Sequence, residues 1–94
     1  MTRAVVDGIT IAESDKTVVV EGNHYFPPDS VQWDLLSETE RTTVCPWKGT
    51  ANYYSVVAGG TSLDNVAWTY RQPKDGAAEI KDHVAFYPQV SVEG

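Results

Sequence analysis

Thr42-Thr43-Val44-Cys45-Pro46-Trp47-Lys48-Gly49-Thr50-Ala51-Asn52-Tyr53-Tyr54-Ser55-Val56-Val57 reads as two β-prone runs joined by a turn. The first run is β-branched, and Pro46 stops it, because proline lacks a backbone donor and steers the residue before it away from helical geometry. Gly49 permits a tight return. Beyond it, Ala51 to Val57 alternates imperfectly around Tyr53 and Tyr54 until Gly59-Gly60 marks the next turn. Val66-Ala67-Trp68-Thr69-Tyr70 then places aromatic and β-branched residues at alternate positions and closes at Gln72-Pro73. The pattern predicts consecutive strands, with Trp47 and Lys48 presented on the connection between two of them, where rigid scaffolds commonly carry function.

The same period of two extends in both directions. Upstream, Asp7-Gly8 sits between Ala4–Asp7 and Ile9–Glu13 and predicts a hairpin with a type I′ turn. Thr17-Val18-Val19-Val20-Glu21 predicts a strand, Gly22-Asn23 a turn, and His24-Tyr25-Phe26 a further strand ended by Pro27-Pro28. Pro28 to Val31 reads as a single helical turn, with Trp33, Leu35 and Leu36 packing onto the sheet as core, and Ser37 to Arg41 reads as a polar loop. Downstream, Ala77 to Ile80 can form one short helical turn, followed by strands at Val84–Tyr87 and Val90–Val92 around Pro88. Short strands with turn signals between them, and no long helix, predict an all-β fold, a small barrel or two-sheet sandwich of antiparallel strands, as one domain over residues 1–94.

Seven Lys and Arg face thirteen Asp and Glu, a net charge of -6. That balance and the lack of a basic cluster argue against nucleic acid, whose binding draws its affinity from cations that neutralise phosphates. Cys45 is the only cysteine, so an intrachain disulfide and a CxxC zinc knuckle are both excluded. No metal or other cofactor is expected. Met1 to Asp7 has no apolar run that would mark a signal peptide, and no segment approaches the ~20 apolar residues of a membrane span. The expected location is cytoplasmic, without a membrane partner.

Cys45-Pro46-Trp47-Lys48-Gly49-Thr50-Ala51, then Tyr53-Tyr54-Ser55-Val56, Ala67-Trp68-Thr69-Tyr70 with Pro73, and Ile80-Lys81-Asp82-His83-Val84-Ala85-Phe86-Tyr87 together resemble the bacterial family called domain of unknown function 427. Val19 to Pro28 is similar as well, so the resemblance covers nearly the whole chain. It implies a β-tent fold, two antiparallel sheets leaning together, in which relatives commonly hold a structural zinc with paired cysteines and use a cleft for small ligands. This chain lacks the cysteine pairs, so the zinc does not carry over. The nucleotidyltransferase label sometimes attached to the family finds no support here. There is no Gly-Ser pair leading to spaced metal-binding carboxylates and no Gly-rich phosphate loop.

Three readings of the chemistry follow. The first is a binding module whose aromatic cleft, walled by Trp47, Tyr53, Trp68 and Tyr70 and marked by Lys48 and His83, takes a small anionic or cyclic ligand. The second is a small enzyme with Cys45 or Lys48 as nucleophile and His83 or His24 as base. Against it stand the ordinary roles of these residues: a free cysteine is usually a small buried hydrophobe, and a histidine usually makes a structural hydrogen bond. The third is a homodimer formed by pairing of exposed strand edges.

Overall fold

A computed structural model describes all residues, 1–94. Nine strands form in chain order: β1 (Thr2–Val6), β2 (Ile9–Ser14), β3 (Val18–Val20), β4 (Asn23–Tyr25), β5 (Leu36–Cys45), β6 (Gly49–Ala58), β7 (Thr61–Tyr70), β8 (Val84–Phe86) and β9 (Ser91–Glu93). They make a sheet in the order β2-β1-β9, a two-stranded hairpin β3-β4, and a sheet in the order β5-β6-β7-β8, and every pairing within these sheets is antiparallel. Short 3-10 turns at Pro28–Ser30, Trp33–Leu35 and Asp75–Ile80 are the only helical segments. The fold is all-β, as the period of two predicts.

The four-stranded sheet is covered on both faces, which explains why Val66 to Tyr70 are all buried although successive side chains point opposite ways. In one cross-strand row Tyr54 pairs with Ala67 and Ala67 with Phe86; this row faces a first core shared with Ala4, Val6 and Ile11 of β1 and β2. In the next row Tyr53 pairs with Trp68 and Trp68 with Ala85, and it faces a second core closed by Tyr25, Ala77 and Ile80. The β3-β4 hairpin feeds both cores, Tyr25 entering the second and Phe26 the first. Reciprocal backbone hydrogen bonds of 2.8 and 2.9 Å between Phe26 and Val84 fasten the hairpin beside β8.

Turn chemistry sets these registers. Asp7 and Gly8 have φ of 51° and 74°, the paired positive values of a type I′ turn. The next hairpin turns at Glu21-Gly22, with φ of 54° and 80°, one residue earlier than Gly22-Asn23. Gly59 also has positive φ, 61°, and a Cβ there would lie 3.1 Å from Asp7 Cγ and 3.3 Å from Ile9 Cδ1. The Asp7 carboxylate accepts a hydrogen bond from the Gly60 amide at 2.9 Å, tying the β1-β2 and β6-β7 turns together. Gly59→Ala is therefore expected to cost at least about 1–2 kcal/mol from left-handed backbone alone, read as a lower urea midpoint. An unchanged midpoint would show that this junction is not under the stated constraint.

Two further expectations change. Ser37 to Arg41 does not form a loop but lies within β5, where the register jumps between Glu38 and Thr42. An edge strand with a bulge tolerates charges that a paired strand would not, and here Thr39 Oγ1 donates to Asn65 Oδ1 at 2.6 Å while Arg71 Nη2 meets Glu38 at 2.8 Å. Trp33 is not core. It is 39% exposed, its indole N–H donates to the Pro28 carbonyl, and its ring meets Tyr54 edge-on, because the 3-10 turn carries it onto the rim of the sheet.

Candidate functional site

Pro46 ends β5 and Gly49 starts β6 at φ 114°, so residues 46–48 turn sharply. The turn is braced from outside: the Lys74 amide donates to the Lys48 carbonyl at 2.9 Å, and Lys74 Nζ donates to the Pro46 carbonyl at 2.7 Å. This bracing sends the Lys48 side chain inward, where only 8% of it remains exposed. Its ammonium donates to the Glu21 carboxylate on the β3-β4 turn and sits 5.5 Å from the Tyr70 ring centre and 5.6 Å from that of Trp47. The two cation-π contacts take the place of oxygen acceptors for the remaining ammonium hydrogens.

Burial pulls the Lys48 pKa down, but the hydrogen bond to Glu21, with the Tyr25 and Tyr70 phenol groups, outweighs it and raises the pKa above its ordinary 10.5. Glu21 is held below its ordinary 4.5 by the Lys48 hydrogen bond. A raised lysine pKa stabilises the fold fully below 10.5 and is lost as pH climbs beyond; a depressed carboxylate pKa stabilises it above 4.5 and is lost as pH falls. The pair therefore stabilises across the window between those limits. Lys48→Met is expected to shrink the loss of stability that the wild type suffers between pH 7 and pH 3, read from urea midpoints. Identical acid limbs in both proteins would refute the pairing.

Beside this corner lies the aromatic second core. Trp68 Nε1 donates to the Tyr25 hydroxyl at 3.1 Å, and the Trp68 ring lies 4.7 Å from Tyr87 and 6.5 Å from Tyr53. The Tyr53 hydroxyl meets Thr43 Oγ1 at 3.0 Å and the Tyr87 hydroxyl at 3.3 Å, with the Arg41 guanidinium 5.1 Å above its ring. Burial raises the Tyr53 pKa, yet hydrogen bonds from Thr43, Tyr87 and Arg41 bring it below its ordinary value, while the bond to Tyr53 raises that of Tyr87.

Of the residues singled out from sequence, Tyr53, Trp68 and Tyr70 meet in the second core, with Cys45 packed against it. Lys48 and Trp47 stand at its edge, and Trp47 is exposed. The histidines lie apart: His24 Nδ1 meets Thr17 Oγ1 at 2.8 Å, and His83 Nδ1 donates to the Lys81 carbonyl at 2.9 Å. Neither is hydrogen-bonded to Cys45 or Lys48. No group of three or more His, Cys, Asp or Glu side chains comes together as a metal-ligand set.

Two surface cavities open elsewhere. One, of about 370 Å³, lies between β4 and β9, with Asn23, His24, Tyr87, Pro88, Ser91 and Val92 among its walls. The other, of about 440 Å³, is walled by Gly49, Thr50, Asn52, Arg71, Gln72 and Lys74. Sequence reasoning missed Glu21, Tyr25 and Tyr87 at the first-described corner and core, and Arg71 and Lys74 at the second cavity. Glu21 carried one signal, its place before Gly22 in a hairpin turn.

Fold and site together define a small all-β domain with a double-faced sheet and a buried lysine, paired to a half-exposed carboxylate, against an aromatic core. The chain belongs to the family described as Domain of unknown function (DUF427), which matches residues 1–94. No curated protein matches it. No helix is long and apolar enough to cross a membrane.

Proposed function

We propose that the protein is a non-catalytic binding module, one domain over residues 1–94, and that a small anionic, ring-bearing ligand is taken at the Trp47-Lys48-Tyr70 corner. One observation carries the reading: a nearly buried ammonium between two aromatic faces has a half-exposed hairpin carboxylate, Glu21, as its only oxygen partner. Desolvating the ammonium offsets much of what its pairing with half-exposed Glu21 returns, and an apolar side chain of similar volume often serves stability as well. A ligand carboxylate that displaces Glu21 keeps the ammonium paired, and its ring stacks on exposed Trp47. Tyr53 and Trp68 back the corner, and His83 stands outside it.

The nucleophile reading is weaker by the same chemistry, since an ammonium held in its protonated form does not attack, and Cys45 has no histidine bonded to it. The outer edge of β5 is available to a second copy, but Glu38, Glu40, Arg41 and the bulge there oppose strand pairing. A net charge of -6 supports a partner other than nucleic acid, and a free thiol suits the reducing cytoplasm.

Benzoate titrated against tryptophan emission tests the binding reading. Saturable quenching is expected in the wild type, at lower benzoate in Glu21→Gln, and absent in Lys48→Met and Trp47→Phe. If Glu21→Gln, folded by circular dichroism, shows no saturable response at millimolar benzoate, the reading fails.

A further inference from the structure

We propose that the cavity at the adjoining ends of β6 and β7 is a second, separate site, for a tetrahedral oxyanion of the phosphate or phosphate-monoester class. The cavity holds about 440 Å³, and none of its six walls, Gly49, Thr50, Asn52, Arg71, Gln72 and Lys74, is apolar or acidic. In a chain of net charge -6, two of the seven cationic side chains converge there without a carboxylate among the walls.

The donors are held but not spent. Arg71 Nη2 meets Glu38 at 2.8 Å and the Tyr54 hydroxyl at 2.9 Å, which fixes the guanidinium plane and leaves Nε and Nη1 with no protein partner. Both Nη2 hydrogens are thereby used, so the guanidinium offers a single charge-assisted donor, Nη1 on one edge or Nε on the other, to a phosphate oxygen. Lys74 Nζ uses one of its three hydrogens on the Pro46 carbonyl, which anchors the ammonium while two remain. Thr50, Asn52 and Gln72 add side-chain groups that make no hydrogen bond within the protein, so the cavity presents donors from the start of β6 and from the segment that follows β7.

A second observation lies directly behind the cavity. Thr69 is 2% exposed, and its hydroxyl is the buried side-chain polar atom without a partner. It pairs in register with Asn52, so the two side chains share one face of the sheet at neighbouring positions. Asn52, which lines the cavity, is thus the neighbour through which a bound anion would reach the unpartnered hydroxyl. Lys48 and Glu21 are not among the cavity's walls, and although Lys74 also braces the Pro46–Lys48 turn, Arg71 does not touch that turn, so Arg71→Gln reads this site apart from the aromatic corner.

The test uses backbone amide NMR of the whole protein, titrated separately with inorganic phosphate and glycerol phosphate at constant ionic strength, with sodium chloride as the matching anion. Saturable shifts at Thr50, Asn52, Arg71, Gln72 and Lys74 are expected, with affinity at least about tenfold lower in Lys74→Ala and Arg71→Gln, the loss of one charge-assisted hydrogen bond. Phosphate alone binding marks a free-anion site, and tighter glycerol phosphate marks a monoester site. Shifts reproduced by chloride, scattered over the surface, or unchanged in Lys74→Ala, whose fold the same spectra report, overturn the proposal.

Discussion

Trp68→Ala is expected to lower the unfolding free energy by about 3–5 kcal/mol and the Tm by roughly 15 °C or more. The ring is 8% exposed and meets Tyr25, Tyr53 and Tyr87 at centroid separations of 6.2, 6.5 and 4.7 Å. Its N–H is also the hydrogen-bond partner of the fully buried Tyr25 hydroxyl. Truncation therefore opens a cavity and strands a buried polar atom together, and the neighbours cannot fill the space because they are fixed in strands and in the Tyr53-Tyr87 pair. Trp68→Phe keeps part of the ring but loses the donor, and should fall between. Thermal melts followed by circular dichroism decide it. A loss below about 1 kcal/mol for Trp68→Ala would mean that these aromatics line open space rather than a packed core.

Phe26→Ala is expected to cost a similar amount, about 3–5 kcal/mol, from the opposite face of the sheet. Phe26 is fully buried and packs edge-on against Phe86 at 5.7 Å in the first core, while its backbone carries the two hydrogen bonds to Val84. The substitution leaves those bonds in place, so the loss reads side-chain packing alone. For a domain with a total stability of ~5–10 kcal/mol, either truncation consumes a large share. Urea unfolding measures it, and a native-like midpoint for Phe26→Ala would remove the hairpin from the first core.

The all-β class, the Asp7-Gly8 turn, the sharp return at Pro46–Gly49 and the alternation through Val66–Tyr70 were legible because each is local: turn glycines and side-chain period act over a few residues. Glu38 to Arg41 were not, since a bulged edge strand carries charges that a period-of-two reading assigns to a loop. Trp33 misled for a related reason, as an aromatic at a sheet rim has the same composition as one in the core. The Lys48 corner was half legible. Its Pro-Trp-Lys-Gly turn stands out, but the partner carboxylate lies 27 positions away on another hairpin and is brought there only by the packing of Tyr25 into the second core. The Arg71-Lys74 cavity left no sequence mark, because its walls come from the unremarkable ends of two strands.

The pairing of β1 with β9, in which Arg3 stands opposite Glu93 and meets it at 3.0 Å, also bears on kinetics. β5, β6 and β7 are consecutive and can zip by short turns, as can β1 with β2, whereas the free edge of β1 must wait for β9 from the far end of the chain. Closing so long a loop is slow, because its entropy is lost before its contacts form. The expected order is an early meander and a late clasp. Opening in reverse, β9 is the cheapest strand to release, being short and exposed along its length. The groove between β4 and β9 is thus the part of the surface most able to change width while both cores stay shut.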